Sequence, residues 1–230
     1  MVESPSYARQ AYNDEIKTLE HDLLDMGSRA EQMVAQSVDA LCSLDTSLAM
    51  SVILKDDEID ERDLKIEARC LRLLALQQPM AGDLRVVGTA MKMITDIERV
   101  GDLAVDIAKI ALKVEKEFGE TSFIDIPKMA KEARAMFHEA LEAYIHRDLN
   151  RVREVCERDE NVDALYRELR AQIFENMREN PEQVVADGWL FLAIHHVERI
   201  ADHAVNIAER VNFMVTGEFK QLSKKDDAPA

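Results

Sequence analysis

The chain has 230 residues, of which 47% are hydrophobic and 5% aromatic, with only 7 glycines and 5 prolines. This composition favours helices over a β-sandwich or barrel, and the length suffices for one large domain or two small ones. The net charge is −16. Because such a surface repels nucleic-acid phosphates and anionic lipid heads, the expected partners are metal ions or basic protein surfaces, not nucleic acid.

The sequence shows no targeting or membrane-spanning segment. The first twenty residues lack the apolar stretch of a signal peptide, and no run approaches the roughly 18 apolar residues that a transmembrane helix needs. The three cysteines, Cys42, Cys70 and Cys156, are widely spaced and odd in number, which is typical of reduced thiols. We therefore predict a cytoplasmic protein without direct membrane insertion.

Apolar residues recur at helical spacing, and turn residues divide the chain into six predicted helices. The second begins after the turn at 45–47 and ends before Pro79, and Pro127 suits the first turn of the fourth. The stretch 119–126 is the predicted linker between two halves. The predicted ranges are about 12–44, 48–78, 81–118, 129–147, 151–179 and 183–215.

The second half of the sequence repeats the first. The offset is 103 residues through the first two helices (148 − 45 = 103) and 100 in the third (198 − 98 = 100). Chance similarity between two apolar helices would not place charged residues in register, so the sequence indicates an internal duplication. The aligned charged residues are Asp56 and Asp60 with Asp159 and Asp163, and Glu98, Arg99 and Asp102 with Glu198, Arg199 and Asp202.

Three helices joined by short turns form an antiparallel up-down-up bundle. The predicted fold class is therefore all-α, with two tandem antiparallel three-helix bundles related by internal duplication in an elongated six-helix molecule. The first repeat is assigned to residues 1–119 and the second to 127–217. Residues 218–230 are short and polar, and are predicted to form a disordered tail.

The third helix of each repeat carries an acidic pair in an unusual position. On a helical wheel, Glu98 falls within the apolar sector and Asp102 on its flank, and Glu198 and Asp202 repeat this arrangement. A carboxylate there is costly unless it is protonated, paired with a basic side chain or bound to a metal ion. The i, i+4 spacing lets both oxygens reach one cation, and oxygen ligands suit Mg²⁺, Mn²⁺, Ca²⁺ or Fe³⁺.

A second acidic row lies on the second helix. Asp56, Asp60, Asp63 and Glu67 are spaced to share one face. Acidic rows on helices are commonly solvated, and this is the simpler interpretation of Asp63 and Glu67, which the second repeat lacks. Asp56 and Asp60 remain candidate companions of the acidic pair, as do their counterparts Asp159 and Asp163.

Enzymatic activity is not expected. A di-iron or di-manganese carboxylate oxidase would need paired Glu-x-x-His motifs, and no histidine of this chain has a glutamate three residues before it. The sequence also lacks a nucleophile elbow, a Walker A loop and a dinucleotide-binding loop. His195, His196 and His203 lie near the second acidic pair but have no histidine counterpart in the first repeat, so we expect partly exposed side chains that are not ligands.

The tandem repeats, with Asp-x-x-x-Asp in the second helix and Glu-Arg-x-x-Asp in the third, resemble the PhoU family of phosphate-uptake regulators. The stretch from His196 to Glu209 is especially similar to the family's second repeat, and the resemblance covers about Ile16 to Val215. It implies a regulator of phosphate homeostasis that restrains high-affinity uptake and the phosphate-starvation response. The implied partners are the ATPase of the phosphate ABC transporter, a phosphate-sensing histidine kinase and a second copy in a homodimer.

The resemblance also implies bound metal ions, namely iron (Fe), manganese (Mn), magnesium (Mg) or zinc (Zn), in sites that hold one or several ions. Asn206 replaces Asp106 in the second repeat, so the two sites are expected to differ. The alternative is a metal-free helical adaptor or scaffold protein whose carboxylates are salt-bridged. The implied metal ligands are Glu98, Asp102, Asp106, Glu198 and Asp202, with help from Asp56, Asp60, Asp159 and Asp163.

Overall fold

The computed structural model describes residues 5–77, 82–118 and 125–222, and every regular element within these ranges is helical. The all-α prediction is confirmed. The longest helix, α1, has 39 residues, or about 58 Å at about 1.5 Å per residue. The helices are α1 (Pro5–Ser43), α2 (Thr46–Ile53), α3 (Asp56–Gln77), α4 (Gly82–Phe118), α5 (Ile126–His146), α6 (Leu149–Glu179) and α7 (Val184–Thr216), with a short 3-10 helix at Pro181–Gln183.

The single helix predicted between residues 45 and 78 is wrong in one respect, because it is divided at Leu54 and Lys55 into α2 and α3. The Lys55 amide donates to the carbonyl of Val52 at 3.0 Å, and the Lys55 carbonyl accepts from Glu58 at 3.1 Å, so two tight i, i+3 turns replace the regular helical bonds. The corresponding helix of the second repeat, α6, is continuous.

The turn that follows the first helix of each repeat has the same geometry in both. Leu44 and Arg147, which align at the offset of 103, are the two non-glycine residues with positive φ in the described part of the chain, at 53° and 52°. The next residue caps the following helix: Asp45 accepts from the Leu48 amide at 2.9 Å, and Asp148 accepts from the Asn150 amide at 2.8 Å. The duplication therefore extends to backbone conformation.

The two repeats pack side by side and share one hydrophobic core. Helix α4 packs on α7, and α1 packs on α5. The approach of α1 to α5 is so close that a Cβ at Gly27 would lie 2.3 Å from Cδ1 of Leu141. Within each repeat, α3 flanks α4 and α6 flanks α7. The two repeats are therefore joined into one body.

The predicted linker and tail fall largely outside the described residues, which exclude 119–124 and 223–230. Ile126, assigned to the linker, is instead the buried first residue of α5, and the Asp125 side chain accepts from the Lys128 amide to cap that helix. After Gly217, residues 218–222 form neither helix nor strand. No described helix is long and apolar enough to cross a membrane.

Two acidic clusters as the candidate functional site

The structure brings the two acidic rows of the first repeat together where α3 packs on α4. We define the first acidic cluster as Asp56, Asp60 and Asp63 of α3 with Glu98 and Asp102 of α4. Burial raises the pKa of Glu98, and repulsion from Asp102, Asp63 and Asp60 raises it further. Burial and repulsion from Asp60 and Asp102 likewise raise the pKa of Asp56. These carboxylates are therefore close enough to repel one another.

Glu98 lies at the margin of the apolar core, with 26% of its side chain exposed. The Nε atom of Arg99 is 3.6 Å from its carboxylate, and another nitrogen of the same guanidinium is 3.0 Å from Asp102. Arg99 is 58% exposed. One solvated arginine thus contacts two carboxylates. Exposed ion pairs of this kind contribute at most about 1 kcal/mol to the free energy of unfolding. This leaves most of the negative charge of the cluster uncompensated by Arg99.

Asp106, the remaining predicted ligand of the first repeat, lies at the edge of the cluster. Its carboxylate accepts a hydrogen bond from the Nζ atom of Lys109 at 3.0 Å. Its negative charge also interacts with His196 of α7. Burial lowers the pKa of His196, and the attraction of Asp106 partly offsets that decrease. Asp106 therefore faces the second repeat as well as its own.

The second acidic cluster consists of Asp159 and Asp163 of α6 with Glu198 and Asp202 of α7. Glu198 is 24% exposed, and its pKa is raised to about 7 by burial, then by Asp202, Asp163 and Asp159, while Arg199 opposes the increase. The Nδ1 atom of His195 lies 3.3 Å from the Glu198 carboxylate. The structure therefore brings all four predicted ligands of the second repeat into one electrostatic group.

The two clusters differ at Asp63, which the second repeat lacks. Tyr166 occupies in α6 the place that Asp63 has in α3, 103 residues earlier. Burial and then Glu198 raise the pKa of Tyr166, and its ring packs against Phe191 and His195 at centroid distances of 6.5 and 6.3 Å. The second cluster therefore has an aromatic wall where the first has a carboxylate. Asp63, expected to be solvated, belongs to the first cluster.

Sequence reasoning missed the polar contact between the repeats. Asp96 of α4 is only 16% exposed and lies 2.9 Å from Nδ1 of His203 on α7. His203, expected to be partly exposed, is 12% exposed. The Nδ2 atom of Asn206 also donates to Asp96 at 3.4 Å. A wheel drawn for one helix cannot show which polar residues meet across two. His203 is thus bound to Asp96 of the other repeat.

The donor chemistry of both clusters fits a hard cation. Their ligands are oxygens, they are partly buried, and their mutual repulsion would be relieved by positive charge. Among the residues that the structure describes, however, no three His, Cys, Asp or Glu side chains converge closely enough to hold a metal ion. Binding would therefore require the carboxylates to rotate toward a common point.

Comparison with known proteins identifies the family. A family model described as the PhoU domain matches residues 23–111 and again residues 126–211. The chain belongs to the PhoU family. Each PhoU match contains one of the two acidic clusters, so the resemblance and the duplication inferred from the sequence are confirmed.

Similar PhoU proteins span nearly the whole chain. Relatives named "Phosphate-specific transport system accessory protein PhoU homolog" occur in Clostridium acetobutylicum (35% identical, covering 95% of this chain and 99% of the relative) and Rhizobium meliloti (34%, 97% and 95%). The crystal structure of PhoU from Pseudomonas aeruginosa has a TM-score of 0.85 at 33% identity, covering 90% of this chain and 100% of its own. The phosphate transport system regulatory protein PhoU from Streptococcus pneumoniae has a TM-score of 0.85 at 30% identity, with coverage of 91% and 99%.

We predict that Glu198→Gln stabilises the metal-free protein above neutral pH. The folded pKa of about 7 exceeds the ordinary value of 4.5, so the stability associated with protonated Glu198 is complete below pH 4.5 and is lost as pH rises through 7. In chelator-treated protein, urea unfolding at pH 8 should give a free energy of unfolding higher for the variant by on the order of 3 kcal/mol.

The higher free energy of unfolding of Glu198→Gln should vanish near pH 4, where the Glu198 carboxyl of the wild-type protein is also neutral. Glu175→Gln, at an exposed position on the same repeat, should show no comparable gain. Equal or lower stability of Glu198→Gln at pH 8 would contradict the charge repulsion described for the second cluster.

Proposed function

We propose that this chain is a cytoplasmic, non-enzymatic regulator of phosphate transport that restrains high-affinity phosphate uptake and the phosphate-starvation response. The observation that carries the proposal is the pair of PhoU-domain matches, one on each repeat. It is supported by relatives that match this chain over almost their full length and whose names describe an accessory protein of the phosphate-specific transport system.

The proposed partners are the ATPase of the phosphate ABC transporter, a phosphate-sensing histidine kinase and a second copy of the chain. The net charge of −16 supports docking on basic protein surfaces, because opposite surface charges accelerate and orient association. Phosphate supply would act by controlling this docking.

We further propose that each acidic cluster binds metal, with Fe, Mn, Mg or Zn as candidates and one or several ions per site. Glu98 and Asp102 would provide the ligands on α4, and Glu198 and Asp202 those on α7. The raised pKa values of Glu98 and Glu198 support this proposal, because both report carboxylates whose negative charge lacks adequate compensation. When bound, a metal ion would supply that charge and fix α3 to α4 and α6 to α7. Asp56, Asp60, Asp159 and Asp163 would complete the ligand sets.

The alternative is an adaptor or scaffold that works without metal, with carboxylates neutralised by protons and arginines. The 3.0 Å contact between Arg99 and Asp102 is the observation in its favour. A di-metal carboxylate oxidase is the least favoured function, because the clusters contain no Glu-x-x-His motif. The metal measurement below separates the first two.

Deletion of the gene should leave phosphate-starvation genes expressed in high phosphate, as measured by reporter transcription. Complementation with the wild-type gene should restore repression, since the protein is proposed to hold the response off. The double variant Glu98→Gln/Glu198→Gln should restore less, and the surface variant Glu175→Gln should restore it fully. Intact repression in the deletion strain would rule out the regulatory proposal.

Added Mn²⁺ should raise the melting temperature of the purified, chelator-treated protein. A ligand that binds only the folded state at 100 times its Kd stabilises by about 2.7 kcal/mol, or roughly 5–10 °C for a chain of this size. Glu98→Gln/Glu198→Gln should lose most of the shift, whereas Glu175→Gln should keep it. An unchanged wild-type melting temperature, together with no metal in the purified protein by elemental analysis, would favour the metal-free adaptor.

A further inference from the structure

The outer face of α3 carries a row of apolar residues. Leu64 is 64% exposed and Leu71 is 51% exposed, and Ala68 and Ala75 are exposed as well. These residues are four, three and four positions apart, which is the spacing of positions a and d in a coiled coil. Leucine occupies both d positions and alanine both a positions. We call Leu64, Ala68, Leu71 and Ala75 the α3 stripe.

No described helix covers the α3 stripe. The opposite face of α3 enters the hydrophobic core through Ile66 and Cys70, so the stripe points away from the core. Helices α1 and α4 pack along the two sides of α3. The stripe extends over about three turns, or roughly 17 Å at about 1.5 Å per residue. Single exposed leucines are ordinary, but a row at the spacing of a coiled-coil seam indicates a further helix that packs on it.

The α3 residues beside the stripe have opposite charges on its two sides. The side next to α1 is basic, and Lys65 and Arg72 border the stripe there with 68% and 56% of their side chains exposed. Arg62 and Arg69 lie deeper on that side, contact carboxylates of α1 and help to line a groove of about 500 Å³. The side next to α4 is acidic and consists of Asp60, Asp63 and Glu67. Helix α3 is therefore divided lengthwise into a basic and an acidic side.

The second repeat has neither the apolar row nor the basic side. At the offset of 103, arginines replace two of the four stripe residues, and the set becomes Arg167, Ala171, Phe174 and Arg178. The four basic residues are replaced by Leu165, Glu168, Gln172 and Glu175. The stripe and its basic side therefore belong to the first repeat alone.

A second copy of the chain fits these charges. Two chains of net charge −16 repel each other over most of their surfaces, so a homodimer needs a face where opposite charges meet. Two α3 helices that run parallel about a two-fold axis place the basic side of each against the acidic side of the other. Glu67 occupies position g and Arg72 position e, and these positions form salt bridges between parallel helices. In an antiparallel pair, g would face g and e would face e, which sets like charges together.

We propose that the α3 stripe is the interface of a homodimer in which the two α3 helices pack in parallel and in register. The leucines and alanines of both copies form the apolar seam, and Glu67 of each copy pairs with Arg72 of the other. The alanines at positions a let the helix axes approach closely. Arg72 also contacts Glu15 at 3.2 Å, but both side chains are partly solvated, and such pairs are weak enough to exchange. This interface presupposes the proposed second copy and gives that homodimer a face, a direction and a register.

Sedimentation equilibrium of the full-length protein tests the interface. Leu71→Glu should raise the dissociation constant of the dimer roughly a hundredfold or more, because both copies lose a buried leucine. The matched variant Phe174→Glu, at the equivalent position of the second repeat and with the same 51% exposure, should keep the wild-type constant. A wild-type protein that stays monomeric up to its solubility limit, or a dimer that Leu71→Glu does not weaken, would overturn the proposal.

Charge reversal tests the direction of the two helices. Glu67→Arg should weaken the dimer about tenfold, because two attractive pairs become repulsive. In a parallel dimer, Glu67→Arg/Arg72→Glu restores both pairs with reversed sign and should return the dissociation constant to within about threefold of the wild-type value. In an antiparallel dimer the double variant still sets like charges together. A double variant that dimerises more weakly than Glu67→Arg would therefore overturn the parallel arrangement.

Ala68→Cys tests the register. In a parallel, in-register dimer the two introduced thiols face each other across the two-fold axis, within reach of a disulfide. Made in Cys42→Ser protein, which lacks the exposed native thiol, the variant should form a covalent dimer on mild air oxidation. Ala171→Cys in the same background, at the equivalent exposed position of α6, should remain monomeric on a denaturing gel. Equal cross-linking of the two variants would contradict a seam at α3.

Reporter transcription separates failure of this interface from failure of the regulatory proposal. A monomeric wild-type protein whose gene still restores repression would overturn the interface alone. A dimer that Leu71→Glu dissociates, in a strain whose repression does not depend on the gene, would support the interface and contradict the regulatory proposal.

Discussion

The contacts between the repeats and the location of both acidic clusters depend on the antiparallel packing of α4 against α7. It places Asp96 of one repeat against His203 and Asn206 of the other, and it sets Asp106 near His196, so the polar contacts follow the approximate symmetry of the duplication. Because α3 flanks α4 and α6 flanks α7, each acidic cluster forms within its own repeat, on a helix that also belongs to the shared core. A change in one cluster therefore acts on a helix that contacts the other repeat.

Charge compensation is the common problem of the two clusters, and the chain offers different solutions to it. In the first cluster, solvated Arg99 contacts Glu98 and Asp102. In the second, burial and the neighbouring carboxylates raise the pKa of Glu198 to about 7, and Tyr166 replaces a carboxylate. A bound metal ion would complete this balance.

Helix content, the duplication and all members of the two clusters except Asp63 could be predicted from the sequence because they depend on periodicity within single helices. The break at Leu54 and Lys55 could not, since no glycine or proline marks it and the apolar spacing continues through it. The contact of Asp96 with His203 could not either, because it depends on which faces of two helices meet. The contacts of Phe219 with Phe213 and of Leu222 with Glu209 could not be predicted for the same reason.

Proton release on metal binding tests most directly the proposal that a metal ion compensates the charge of the carboxylates in these clusters. With a pKa of about 7, Glu198 is about half protonated at pH 7, and a metal ion must displace that proton to bind the carboxylate. Calorimetric titration with Mn²⁺ in buffers of different ionisation enthalpy should therefore detect release of about half a proton that is absent in Glu198→Gln. Mn²⁺ binding with the same proton release in both proteins, or no binding at all, would contradict the account.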